Sequence, residues 1–336
     1  MVRWWRVEKG RSHPSLAGLE ALLSSRTKIV ALTHVSNVLG RVCDVSACAA
    51  LCKQRSPGVH VVVDGVAYVP HRFADLNVLQ SQGVDWYAVS LHKLYGPHLG
   101  AIVGRVRSPR LEGEEEETEA EATELGRKRK RLPEKGEKHI QKTIAGRVKV
   151  ARHDETQTCP VGPRESHALA CGQHQGSGVV LGDTLGTVSL EACAGVRGLE
   201  EYFQALGQGR GMAYAWARIK AAESGPQAIL LEALRKSKRV RILGDEDNES
   251  NSAGLICGER LPTISFVHSH YSAREIVTHA LEAGVAGRCG NFLAPRLLAA
   301  LGDDVGDTVV RFSLCHYNNE EEVRHLVAAL EGLAKW

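Results

Sequence analysis

TKIVALTHVSNVLGRVCDVSACAALCKQRSPGVHVVVDG, residues 27–65, decides the fold. Its first eight residues form an apolar run that reads as a buried strand. DVSACAALCKQR (44–55) follows with helical spacing and with Asp44 placed to cap it, and VHVVVDG (59–65) is a second apolar run. Strand, helix and strand in succession argue for parallel strands joined by a helix. Working outward, VDWYAVSLH (84–92) and AIVGRV (101–106) predict two more strands of the length expected for a sheet covered on both faces. The fold class is α/β, with a mainly parallel sheet of the doubly wound kind.

In such sheets the ligand lies beyond the carboxyl ends of the strands. That rule selects residues 34–37, Asp64 and residues 90–93 before any chemistry is considered. An ammonium group at the end of a buried strand, flanked by apolar walls, is expected to be partly dehydrated, and a lysine that can lose its proton is a nucleophile toward carbonyls. Lys93 is therefore a candidate for a Schiff base, although a lysine at a strand end also reads as one that snorkels to solvent. Asp64, at the end of the preceding strand, shifts the balance. Pyridoxal 5'-phosphate needs a lysine for its aldehyde and a carboxylate for its pyridine nitrogen. Two strand ends supply that pair.

The remaining chain divides by composition. Residues 111–143 carry an acidic block and then RKRKR (127–131), with few large apolar side chains, and read as a solvated, disordered insertion within about 108–163. A helical stretch is expected from about Ser189 to Glu223. RVRILG, PTISFVHSH and TVVRFSLCHY then read as strands, and SAREIVTHALEAG and NEEEVRHLVAALEGLAKW as helices. This predicts a large domain over 1–225 and a smaller α+β domain over 226–336.

A net charge of +3 over 336 residues gives no reason to expect nucleic acid or an anionic membrane as partner. The nine cysteines include no CxxC pair, which suits reduced thiols in a cytoplasmic setting. MVRWWRVEKGRSHPS has no apolar leader core, and no run approaches bilayer length.

Four motifs in order, THVSNVLG, VVVDGVAYVPH, VSLHKLYGPHLGA and VVRFSLCHYNNEEEV, resemble the class V aminotransferases, which include cysteine desulfurases and desulfurase-like proteins of pyridoxal-phosphate fold type I. The resemblance implies that Lys93 is the Schiff-base lysine and that Asp64 binds the pyridine nitrogen. It implies that Ser90 and His92 hold the phosphate, His92 lying beside the catalytic lysine, and that Asn37 lies by the cofactor hydroxyl and the substrate. Arg311 would clamp the substrate carboxylate. LGTVSL resembles the segment that reaches across a homodimer, so Thr187 would touch the phosphate of the partner's site. An amino acid is the implied substrate, processed by transamination, elimination or epimerisation.

Three departures qualify that expectation. The position of the desulfurase cysteine holds Leu293, in GRCGNFLAPRLL (287–298), and Cys289 lies several positions early. Ala67 stands where many desulfurases have a cofactor-binding glutamine. The chain opens at what matches the family's middle, so the family's Gly/Thr phosphate turn and ring-stacking aromatic have no counterpart, and neither His13 nor His34 lies at the stacking position. The sequence thus predicts a desulfurase-like enzyme that is not a true cysteine desulfurase. The alternative is a shortened, inactive relative acting as a binding or scaffold protein.

Overall fold

A computed structural model describes residues 1–8, 13–104, 189–244, 257–302, 305–306 and 308–336. Thr187 and the whole of the second unit (106–174), with the expected charged insertion, lie outside the described residues. The described elements belong to the other unit, and all that follows concerns it.

The first sheet has the order β1-β3-β4-β5, with β1 at Ile29–Thr33, β3 at His60–Asp64, β4 at Trp86–Ser90 and β5 at Gly100–Gly104. β1, β3 and β4 are parallel, with Thr33 paired to Asp64 and Asp64 to Ala88, whereas β5 is antiparallel to β4. Helix α1 (Leu16–Leu22) starts at Ser15, whose hydroxyl accepts from the Gly18 amide at 3.1 Å. The expected helix is α2 (Val45–Arg55), with the Asp44 carboxylate accepting from the Ala47 amide at 2.9 Å. Cys48, Ala49 and Cys52 occupy its buried face, against Val61, Val63 and Tyr87. Cys48 and Cys52 are thus core thiols one helical turn apart. The crossover from β3 to β4 carries α3 (Leu76–Ser81), capped by Asp75.

The expectation that all four strands are covered on both faces holds only for the middle of the sheet. β3 buries Val61 and Val63, but the edge strands leave Ile29 and Ile102 exposed. Pairing on one side and packing on one face suffice to hold an edge strand, so its outer residues need not be covered.

The helical stretch expected over 189–223 is three helices, α4 (Leu190–Gly195), α5 (Arg197–Gly207) and α6 (Met212–Lys236). The break after α5 follows from Gln208, Gly209 and Gly211, all at positive φ, which ends one helix and redirects the chain. α6 then continues well past Glu223.

The second sheet, β6-β8-β10-β9, comprises β6 (Val240–Ile242), β8 (Thr263–His268), β9 (Arg288–Gly290) and β10 (Val309–Ser313). Its pairings are antiparallel. Helices α6, α7 (Ala273–Glu282) and α9 (Glu320–Glu331) bury Leu230, Ile276 and Leu326 against Ile264, Phe266, Val310 and Phe312. Asn319 and Glu322 form a capping box at the start of α9, and three glutamates fill the first turn. A short ribbon of β2 (Arg41–Cys43) and β7 (Cys257–Arg260), together with α8 (Pro295–Leu301), completes the unit.

Candidate active site

Two of the three parallel strands, β3 and β4, end at residues the sequence singled out, and β1 ends one residue before His34. Asp64 terminates β3, and its carboxylate Oδ1 accepts from the Val66 amide at 2.9 Å. The next residue, Gly65, has no room for a side chain: a Cβ there would lie 2.0 Å from the Tyr87 ring. Ser90 terminates β4, and its carbonyl accepts from the amides of both Lys93 and Leu94 at 3.1 Å, turning the chain so that His92 and Lys93 stand at the strand end. Because β3 and β4 are adjacent and in register, Asp64 and the residues 90–93 turn share one edge of the sheet.

The turn is held from behind. Tyr95 takes a left-handed φ of 64°, donates its hydroxyl to the Pro70 carbonyl at 2.9 Å, and meets the rings of Tyr202, His316 and Tyr317. Burial pushes its phenol well above the ordinary tyrosine range, so it stays protonated and keeps donating.

Lys93 and Asp64 are both exposed, as is His92. This corrects the expectation of a dehydrated lysine. A three-residue turn at a strand end lifts its side chains off the sheet, and the apolar residues of β4 lie behind them. His92 is consequently no core histidine; its ring lies 4.8 Å from that of His98, a neighbour the motif reading did not single out.

His34, by contrast, is buried at 6 % exposure, stacked on Tyr68 at 3.6 Å, with Nδ1 2.7 Å from the Tyr87 hydroxyl. Burial lowers its pKa to about 4, against a smaller opposing pull from Asp44. It is therefore neutral and occupied by structural partners, consistent with its exclusion as a ring-stacking group. It lines a cavity of about 460 Å³ together with Cys43, Asp44, Phe73 and Asp75. Lys93, Asp64 and Arg311 do not line that cavity, and strand-end chemistry on an open face needs no enclosed void.

The second half of the site comes from the SNVLG turn and the second sheet. Four successive carbonyls of that turn accept bonds from residues far away in sequence. Arg311 Nη1 donates to Asn37 O at 2.9 Å, Ser265 Oγ to Val38 O at 2.6 Å, Arg260 Nη1 to Leu39 O at 2.8 Å and the Leu261 amide to Gly40 O at 2.7 Å. The Asn37 side-chain amide donates to Phe292 O at 2.9 Å. The Arg311 guanidinium lies 3.9 Å above the Phe292 ring. Asn37 and Arg311, predicted separately, are thus in direct contact. Burial, with Arg288 a lesser cause, lowers the Arg311 pKa from its usual value.

Phe292 and Leu293 both take left-handed φ, 51° and 61°, and Leu293 is 97 % exposed. The desulfurase cysteine position is therefore a strained, protruding apolar residue one step from the Asn37 anchor. Cys289 lies on β9 opposite Val310, half-buried. Phe292 and Arg288 were missed as site residues. Phe292 lay inside the quoted 287–298 stretch, and only the cross-strand register reveals Arg288.

Residues 1–110 match the family description Aminotransferase class-V. The chain is 27% identical over 333 residues to the aminotransferase-like protein FGM3 of Gibberella zeae, covering 98% of this chain and 65% of that protein. It is 27% identical over 325 residues to a probable cysteine desulfurase of Xylella fastidiosa, covering 95% of this chain and 60% of the other. The cysteine desulfurase CsdA of Escherichia coli superposes with a TM-score of 0.57 at 22% identity, over 96% of this chain and 63% of that one. The chain is thus similar to class V aminotransferases and to cysteine desulfurase-like proteins, with the family match lying in residues 1–110. The likeness to the solved cysteine desulfurases is one of fold, a mixed α/β arrangement with a largely parallel first sheet. The chain spans 65% or less of the length of these curated relatives. Among the described residues no helix is long and apolar enough to cross a membrane, and no group of three or more His, Cys, Asp or Glu is placed to hold a metal ion.

The donor set at the strand ends fits pyridoxal phosphate in kind. A primary amine suits the aldehyde, a carboxylate suits a protonated pyridine nitrogen, and a hydroxyl with imidazoles suits a phosphate. His34 is not available to stack on its ring, being already committed to Tyr68.

Proposed function

We propose that this chain binds pyridoxal 5'-phosphate at the ends of β3 and β4 and acts on an amino acid, without the sulfur-transfer step of a cysteine desulfurase. One observation carries the reading: Asp64 and the residues 90–93 turn are brought to one sheet edge by adjacent parallel strands in register. Lys93 attaches the cofactor and serves as the proton carrier at the substrate α-carbon; Asp64 holds the ring nitrogen; Ser90 and His92 hold the phosphate. When bound, the cofactor supplies an electron sink for charge developing at that carbon. Arg311 and Asn37 orient the substrate through its carboxylate, for which a guanidinium fork is suited. Leu293 cannot accept sulfur, because a leucine side chain has no nucleophilic or ionisable atom. The cofactor domain is assigned to 1–225 and the smaller domain to 226–336. The working unit is a homodimer in which Thr187 completes the partner's phosphate site.

The test is the visible absorption of the full chain mixed with pyridoxal phosphate, compared with Lys93→Ala. An absorption band that survives gel filtration and vanishes in Lys93→Ala supports the reading. The exposure of Lys93 and Asp64 favours a second reading, a family fold retained as a binding or scaffold protein. A wild-type chain that emerges colourless supports that one.

A further inference from the structure

Two guanidiniums stand where a single carboxylate needs one. β9 and β10 are antiparallel with Arg288 directly opposite Arg311, so both side chains leave the same face of the sheet. Opposite residues in such a ladder have Cβ atoms about 4.5–5.5 Å apart, and like charges placed so destabilise the pairing. Ser265, on the other side of Arg311, bonds the Val38 carbonyl, so this is the face that meets the SNVLG turn.

Local neutralisation is lacking. Among the described residues neither guanidinium is ion-paired. The stretch 287–298 contains Arg288 and Arg296 and no acidic residue. Arg296 is engaged elsewhere, stacked over the Trp4 ring at 3.7 Å. Asn37 turns its amide to Phe292 and offers Arg311 only a neutral carbonyl. The Phe292 face holds the Arg311 guanidinium while leaving its edge free to donate. Burial of Arg311 and the nearness of Arg288 together lower the proton affinity of Arg311, which is the electrostatic signature of a site awaiting negative charge.

Resting on the assignment of Arg311 to a substrate carboxylate, we infer that the substrate is an amino acid with a second acidic group on its side chain, held by Arg288. The span between opposed residues suits the separation of the two acids in aspartate or glutamate. A fork that meets a carboxylate in two parallel bonds gives geometric selection as well as charge.

Calorimetric titration tests this on the full chain. With pyridoxal phosphate present, L-aspartate or L-glutamate is expected to bind at least tenfold more tightly than L-asparagine. Arg288→Gln should cut that ratio at least fivefold, and Arg288→Lys should retain most of it. Arg288 is exposed on an edge strand, so the variants are expected to fold; Arg288→Met repeats the test if Arg288→Gln melts early. Without cofactor, succinate should bind more tightly than propionate, and Arg288→Gln should remove the difference. Equal affinity for the acid and its amide, a ratio unmoved by Arg288→Gln, or no binding of any of these compounds overturns the inference. If the Lys93-dependent absorption is present while the acid preference is absent, this inference fails alone. If the absorption is absent and succinate is still preferred, the cofactor reading fails and the paired-arginine site stands.

Discussion

His34 shows how a residue inside a motif can serve the fold and not the reaction. Its imidazole is buried, stacked on Tyr68 and joined to the Tyr87 hydroxyl, and its pKa falls from 6.5 to about 4. In the unfolded chain it titrates near 6.5. Between these values the unfolded state takes up a proton that the folded state refuses, so stability is full above pH 6.5 and declines as pH falls toward 4. The loss at the acid end is about 3 kcal/mol. Urea midpoints at pH 7.5 and pH 4.5 should therefore differ by less in His34→Gln than in the wild type, although the variant is weaker at neutral pH. An equal pH response in both proteins would refute the assignment. At this scale Asp64 and Lys93 were legible because the end of an apolar run is a sequence feature. Their exposure was not, since it depends on how a short turn lifts them from the sheet. Phe292 and Arg288 were hidden for another reason: Arg288 is set opposite Arg311 by a register between strands, Phe292 meets Arg311 and Asn37 from a left-handed loop, and both are tertiary properties.

At the level of elements, the SNVLG turn is the joint on which the site depends. Gly40 has φ +67°, and a Cβ there would lie 2.3 Å from the Thr263 carbonyl oxygen and 2.9 Å from that of Leu261. Neither a side chain nor a normal backbone angle is available to a replacement. Gly40→Ala is expected to cost about 2–4 kcal/mol, read as a lowered melting temperature, because strained backbone and backbone collision add. A melting temperature within 2 °C of the wild type, on the order of 1 kcal/mol or less for a chain of this size, would contradict this. The long strands and α2, α7 and α9 were legible from period, and the start of α2 from its cap Asp44; the caps Ser272 and Asn319 came from the structure. β2, β7 and β9 were not, because three or four residues of mixed polarity carry no period. The antiparallel sense of β5 was equally unreadable, since a six-residue run has no direction of its own.

For the molecule as a whole, a buried ionic cluster ties segments distant in sequence. Glu223, fully buried in α6, receives His71 Nδ1 at 2.6 Å and Arg72 Nη1 at 2.9 Å, and Arg72 and Lys220 both reach Glu259 on β7 of the short ribbon. Glu223→Ala leaves Arg72 short of one of its two acidic partners, in an interior that solvates it poorly, and should destabilise by about 3–5 kcal/mol in a urea titration. Glu223→Gln keeps hydrogen-bonding capacity and should lose less. Equal losses would mean that charge is irrelevant there. No sequence period announces this cluster, because a charged residue in the middle of an amphipathic helix reads as solvent-facing.

One guanidinium edge deserves a last thought in kinetic terms. A guanidinium has five N–H donors, and the bond from Arg311 to the Asn37 carbonyl uses one of them. An incoming anion can take the others while that tether stays closed. Capture then proceeds onto a ready-made receptor, limited by encounter and desolvation, without that tether breaking.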